Sequence, residues 1–159
     1  MADKAISKSS VSIFLDEVKS KLGGNLNYEP SKAMEKWIYK EVSATTSSTV
    51  LLTTSQAYFV NDGTFIHAND KVKWIAIKNT STTPTDGVCI CIDGGTAAYD
   101  LVDGIFIGAG EIAVLKIPNT TTANLKKISV TMDGTYGYPT GAGTTAITTQ
   151  VAAIVEDVA

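Results

Sequence analysis

Between Val72 and Met132 short apolar runs alternate with turn residues: VKWIAIKN, VCICID, IFI, EIAVLKIP and LKKISVTM, parted by TSTTPTDG, GG, GAG and NTTTAN. The runs are rich in Val and Ile, which suit a pleated, half-buried surface, and the separators hold Gly, Pro, Asn and Asp, which accept turn geometry. Five Asp-Gly dipeptides, at 62–63, 86–87, 93–94, 103–104 and 133–134, fall at or near the ends of expected strands, and Asp-Gly is a strong hairpin signal. Ile75 and Ile77 share one face of their strand. Ile128, Val130 and Met132 share one face of another, with Lys127, Ser129 and Thr131 opposite, which predicts a strand with one buried side and one side toward solvent.

Upstream, WIYKEVS, STVLLT and QAYFV predict three short strands, the first with imperfect alternation that suits a sheet edge. Asn61-Asp62-Gly63 predicts a turn. Downstream, DGTYGYPTGAGTT is too poor in aliphatic side chains for a core and predicts a loop, and QVAAIVEDV predicts a closing strand. Eight or nine strands so spaced predict an all-β fold, an antiparallel β-sandwich of jelly-roll or immunoglobulin-like topology.

The first 30 residues read differently. Val11, Phe14, Leu15, Val18 and Leu22 recur at helical spacing, Ser9 and Ser10 precede them, and Gly23 follows. That pattern, with Asp16 and Glu17 early and Lys19 and Lys21 late, predicts a short amphipathic N-terminal helix or arm. The expected organisation is therefore 1–30 as helix or arm with linker, and 31–159 as the sandwich. The apolar stripe packs either on its own domain or on a neighbouring subunit.

Composition narrows the function. Charged residues make up 18% of the 159, and the formal net charge is −3, so the surface is polar without the basic character that attracts nucleic acid or anionic membranes. Asp16 and Glu17 interrupt the early apolar stretch before a secretory segment forms, and no run approaches the roughly 20 residues that span a bilayer. Synthesis in the cytoplasm, with neither nucleic acid nor membrane as partner, is the expectation.

Candidate chemistry is sparse. Cys89 and Cys91 sit two apart on one strand, facing the same way and badly placed for a mutual disulfide. With His67 the lone histidine, they read as small buried residues rather than half of a zinc site. Asp93, Asp100 and Asp103 do not match an EF-hand loop and read as turn residues. No nucleophile or phosphate-binding motif is present. No catalytic residue, metal or cofactor is expected. A hydrolase with a carboxylate pair formed only in the fold is a rival of another class. Tyr136 and Tyr138, beside Pro139, are candidate partner contacts, or else cover one open end of the sandwich.

The order of WIAIKNTS, VCICIDGGTAAYD, GIFIGAGEIAVLKIP and LKKISVTMDG resembles small β-sandwich structural proteins of tailed-phage virions. The shared pattern is a strand ending in Asn-Thr-Ser, a hairpin around Asp-Gly, a Gly-x-Gly-Glu turn into an apolar strand closed by Pro, and a late strand, over about Trp74 to Val158. The resemblance implies a non-enzymatic virion component, synthesised in the host cytoplasm, that decorates or cements the capsid surface as a homo-oligomer bound to the major capsid protein or other virion proteins. The alternative is a tail, neck or fibre-associated module touching a host-surface glycan through Tyr136 and Tyr138. Under the first reading Val11, Phe14, Leu15, Val18 and Leu22 are the contacts of an arm.

Overall fold

The computed structural model describes residues 5–14, 19–28, 35–53, 66–92, 95–100 and 104–156. The chain divides into two compact units, Met1–Ala33 and Met34–Ala159.

The N-terminal unit is a β-hairpin where the sequence predicted a helix. Strand β1 (Ala5–Phe14) runs antiparallel to β2 (Lys19–Tyr28), with Ala5 opposite Tyr28 and Phe14 opposite Lys19. Val11 and Leu22, placed by helical spacing on one stripe, instead stand opposite each other in the ladder. The reason is local. Val11 and Ile13 are β-branched, and the four serines of β1 have weak helix propensity and favour alternative backbone hydrogen bonds. Five sparse apolar residues satisfy a 3.6 period but do not outweigh that bias. Leu15 and Val18 lie outside the described residues.

Among its described residues the larger unit is β-stranded apart from one 3-10 turn. Its strands are β3 (Glu35–Ala44), β4 (Thr49–Val50), β5 (Lys71–Asn79), β6 (Asp86–Cys91), β7 (Ile105–Gly108), β8 (Ile112–Thr121), β9 (Lys126–Met132), β10 (Pro139–Ala142) and β11 (Ile147–Glu156), with a 3-10 turn at Thr122–Asn124. One sheet has the order β3-β11-β5-β8. The other has β10-β9-β6-β7, with β4 also on β9. All pairings are antiparallel.

Setting aside the short β10, the pairs β3 with β11, β4 with β9, β5 with β8 and β6 with β7 join first strand to last and so inward. That is one long hairpin rolled into two sheets, the jelly-roll arrangement. An immunoglobulin-type sandwich puts its first two strands side by side in one sheet, whereas β3 and β4 lie in different sheets.

Between the sheets lies the main core. Ile75, Ile77, Val151, Ala153 and Ile38 from one sheet join Val88, Ile90 and Ile107 from the other. Alternation along β5 and β11 delivers these residues to the inner face, as the sequence predicted for Ile75 and Ile77. Leu51 and Leu52 are fully buried, although the strand before them is only Thr49–Val50. The imperfectly alternating β3 is an edge strand among the described residues. Lys40 shares its inner face with Ile38 and Val42, a placement that discourages pairing with a further chain.

Strand β9 reverses the predicted facing. Val88 stands opposite Ser129 and Ile90 opposite Lys127, so the polar side of β9 faces the main core, and Lys127 and Ser129 are both buried. The apolar side, Val130 and Met132 with Ile128 beside them, joins Cys89 and Phe106 in a second cluster. That cluster occupies the outer face of the sheet. It is covered in part by the segment 95–100, which passes close enough for the Cys89 thiol to donate to the Ala98 carbonyl at 3.0 Å. Cys89 and Cys91 are buried and form no disulfide with each other.

The expected loop after Met132 contains β10, held to β9 by ladder bonds that need no aliphatic side chains. The next residue, Gly143, runs so close to β9 that an added Cβ would lie 2.7 Å from the Ser129 backbone. QAYFV, the Asn61-Asp62-Gly63 turn and the dipeptide at 93–94 lie outside the described residues.

Candidate functional site

The segments that lead to the site are the ends of β5, β7 and β9, whose connections gather at one end of the sandwich. They enclose an open cleft of about 460 Å³ lined by residues of 81–84, 108–111 and 132–137. That volume falls in the range of about 300–1,000 Å³ usual for small-molecule sites.

Asn79, fully buried at the end of β5, anchors the segment that leads into the cleft. Its side-chain amide donates to the carbonyls of Ile107, at 3.2 Å, and Asp86, at 3.4 Å, and its Oδ1 accepts from the Ser81 amide at 2.9 Å. Its own backbone amide donates to the Glu111 carbonyl. One side chain thus ties three strand ends together. Ser81 Oγ donates to Asp86 Oδ2 at 2.6 Å and accepts from the Thr83 amide. On the β7–β8 turn, Glu111 Oε2 accepts from the Gly108 amide at 2.7 Å.

The β9–β10 connection is equally tied. Asp133 Oδ1 accepts from the amides of Thr135, at 2.7 Å, and Tyr136, at 3.0 Å, an Asx-type turn. Backbone bonds from Gly137 to Asp133 and from Asp133 to Tyr138 close the loop. Gly137 has φ +74°, a left-handed conformation that costs other residues roughly 1–2 kcal/mol. It turns the chain between Tyr136 and Tyr138, whose rings stack with centroids 6.1 Å apart and planes 21° apart.

Both tyrosines are largely exposed, Tyr136 by 71% and Tyr138 by 61%, so they stand out from the end of the sandwich instead of sealing it. Tyr136 lines the cleft. Val11 and Leu22 are paired in the N-terminal hairpin and Phe14 ends its first strand. The candidate partner contacts among the described residues therefore separate into two groups, one in each unit.

No protein-family model matches the chain, and neither a curated protein nor a solved structure matches it.

Among the described residues no group of three or more His, Cys, Asp or Glu side chains gathers into a metal site. Glu111 and Asp133 in the cleft lining, and Asp86 bonded to the lining Ser81, each accept hydrogen bonds that shape a turn. Asp100 is exposed, while Asp93 and Asp103 lie outside the described residues. No described helix is long and apolar enough to cross a membrane.

Sequence reasoning singled out the tyrosines but not Asn79, Ser81, Glu111 or Asp133 as one site. The strand-ending Asn-Thr-Ser and the Gly-x-Gly-Glu turn were visible as punctuation. Their convergence depends on the rolled topology.

Proposed function

We propose that this chain is a non-enzymatic structural protein of a tailed-phage virion that decorates or cements the capsid surface, acting by subunit contacts as a homo-oligomer on the major capsid protein. The observation that carries this reading is the N-terminal sheet, which among the described residues has two strands and two open edges. A two-stranded hairpin is marginally stable in water, and open strand edges recruit further strands or surfaces. Such a unit suits an arm completed by a neighbour, the role the sequence assigned to a helix. The jelly roll occurs in viral capsid domains, an analogy of fold that supports the reading without fixing it.

The mechanism needs no catalysis. A protein that binds assembled shell and not its separate parts stabilises the shell by mass action, by about 2.7 kcal/mol for each occupied site when the free protein is at one hundred times its dissociation constant. Removing residues 1–33 leaves Met34–Ala159, which carries its own core. The truncated chain is expected to fold and to lose at least about 90% of its incorporation into particles, roughly tenfold in affinity, as read by sedimentation and gel densitometry. Undiminished incorporation of a folded truncated chain would remove the arm. A position on the tail or a fibre is the second reading, and the cleft beside Tyr136 is what favours it.

A further inference from the structure

We infer that the cleft at the end of the sandwich is a binding site for a neutral saccharide, with Tyr136 as its stacking wall and hydroxyl and carboxylate oxygens of Ser81, Thr82, Glu111 and Asp133 as its polar rim. The inference stands whether the chain sits on a shell or a tail.

A pyranose has two kinds of surface, an apolar face of C–H bonds and a rim of hydroxyls. The cleft offers a partner for each. The Tyr136 ring is exposed and stacks on Tyr138, and its backbone is anchored where Asp133 accepts from the Tyr136 amide. The anchored backbone and the neighbouring ring restrict Tyr136, and a restricted ring loses less conformational freedom when a ligand covers it, which favours affinity. A rigid aromatic surface of this kind brings large contact area with a polar tip.

Charge selects among sugars. The lining includes the carboxylates of Glu111 and Asp133 and neither lysine nor arginine, so a sialylated, sulfated or phosphorylated ligand meets acceptors and like charge where it needs donors. Neutral hydroxyls can donate to the remaining lone pairs of these carboxylates. Hydrogen bonds to charged groups contribute more than neutral ones, about 1.5–3 kcal/mol, which gives a shallow cleft a means of discrimination.

The test is a titration of the full-length, 15N-labelled chain with cellotriose, maltotriose and chitotriose, and with sialyllactose as the charged comparison, followed by amide chemical shifts. At least one neutral trisaccharide is expected to shift amides within 81–84, 109–111 and 133–137, with Kd of about 0.1–10 mM. Sialyllactose is expected to bind at least about tenfold more weakly. Tyr136→Ala should weaken the neutral ligand by about tenfold or more, and Tyr136→Phe should retain it, since the ring rather than its hydroxyl supplies the wall. Any of three outcomes overturns the inference: no shift at the tip with any neutral trisaccharide at about 10 mM, shifts that survive Tyr136→Ala, or sialyllactose binding as tightly as the neutral sugars. None of these bears on incorporation into particles, so a failure here leaves the arm reading to its own experiment.

Discussion

Asn79→Ala is expected to lower the stability of the larger unit by about 3 kcal/mol, the largest loss from a single substitution at the cleft. The side chain is fully buried and makes three hydrogen bonds, two as donor to the carbonyls of Ile107 and Asp86 and one as acceptor from Ser81. Alanine leaves those groups without that partner and opens a small void. Each buried polar group so stranded costs about 1–3 kcal/mol, and relaxation of the Ser81 loop toward water recovers part of it. In a chain of this size the change corresponds to a fall in melting temperature of about 6–12 °C. Thr80→Ala is the matched comparison, because the Thr80 hydroxyl also donates to a carbonyl, that of Thr148, but at an exposed position. Its expected cost is below about 1 kcal/mol. Equal melting temperatures for the two variants would show that Asn79 does not tie the strand ends together.

Lys127 gives the second large effect, through pH. Its ammonium group is buried against the main core and donates to the Val50 carbonyl at 2.8 Å. Burial, with the positive charge of Lys40 adding to it, lowers its pKa from 10.5 to about 8. In the unfolded chain the group keeps its ordinary value. Between pH 8 and 10.5 the unfolded state therefore binds more protons than the folded one, and stability rises with pH across that window. Below pH 8 the lysine is charged in both states and the penalty is present in full. The lost penalty amounts to at most about 3 kcal/mol. Lys127→Met removes the charge while filling a similar volume. It is expected to stabilise the protein at pH 7 by about 1–2 kcal/mol, the gain being reduced by the lost bond to Val50. Measured by urea unfolding at several pH values, the advantage of the variant should shrink as pH rises above 8. An advantage that is constant with pH, or absent at pH 7, would contradict a buried ammonium at this position.

These two residues also show what the sequence could and could not convey. The Val and Ile runs announce β5, β6, β8 and β9, because branched residues bounded by turn formers have few other uses. Alternation in LKKISVTM identifies which side chains share a face of β9. It cannot say which face meets the main core, since the apolar set is buried by a second cluster on the outer side and Lys127 turns inward. The N-terminal helix fails for a related reason. Val11 and Leu22 fit one helical stripe and equally fit opposite positions of a ladder, and the β-branched residues and four serines of β1 tip the balance toward the strand.

At the cleft, Tyr136 and Tyr138 are legible one by one as aromatic residues in a loop without aliphatic neighbours. Asn79, Glu111 and Asp133 are not legible together. Each is a turn residue within its own segment, and only the rolled pairing of first strand with last brings the three connections to one end. The choice of jelly roll over immunoglobulin-like topology depends on the same pairings, because both arrangements need similar strands and turns.

Decoration of a capsid by this chain would show itself in the copy number of the chain in purified particles, measured by quantitative mass spectrometry against the major shell protein. Many copies in a fixed ratio to the shell protein are the expected result. A few copies matching the symmetry of a tail, or none, would contradict it.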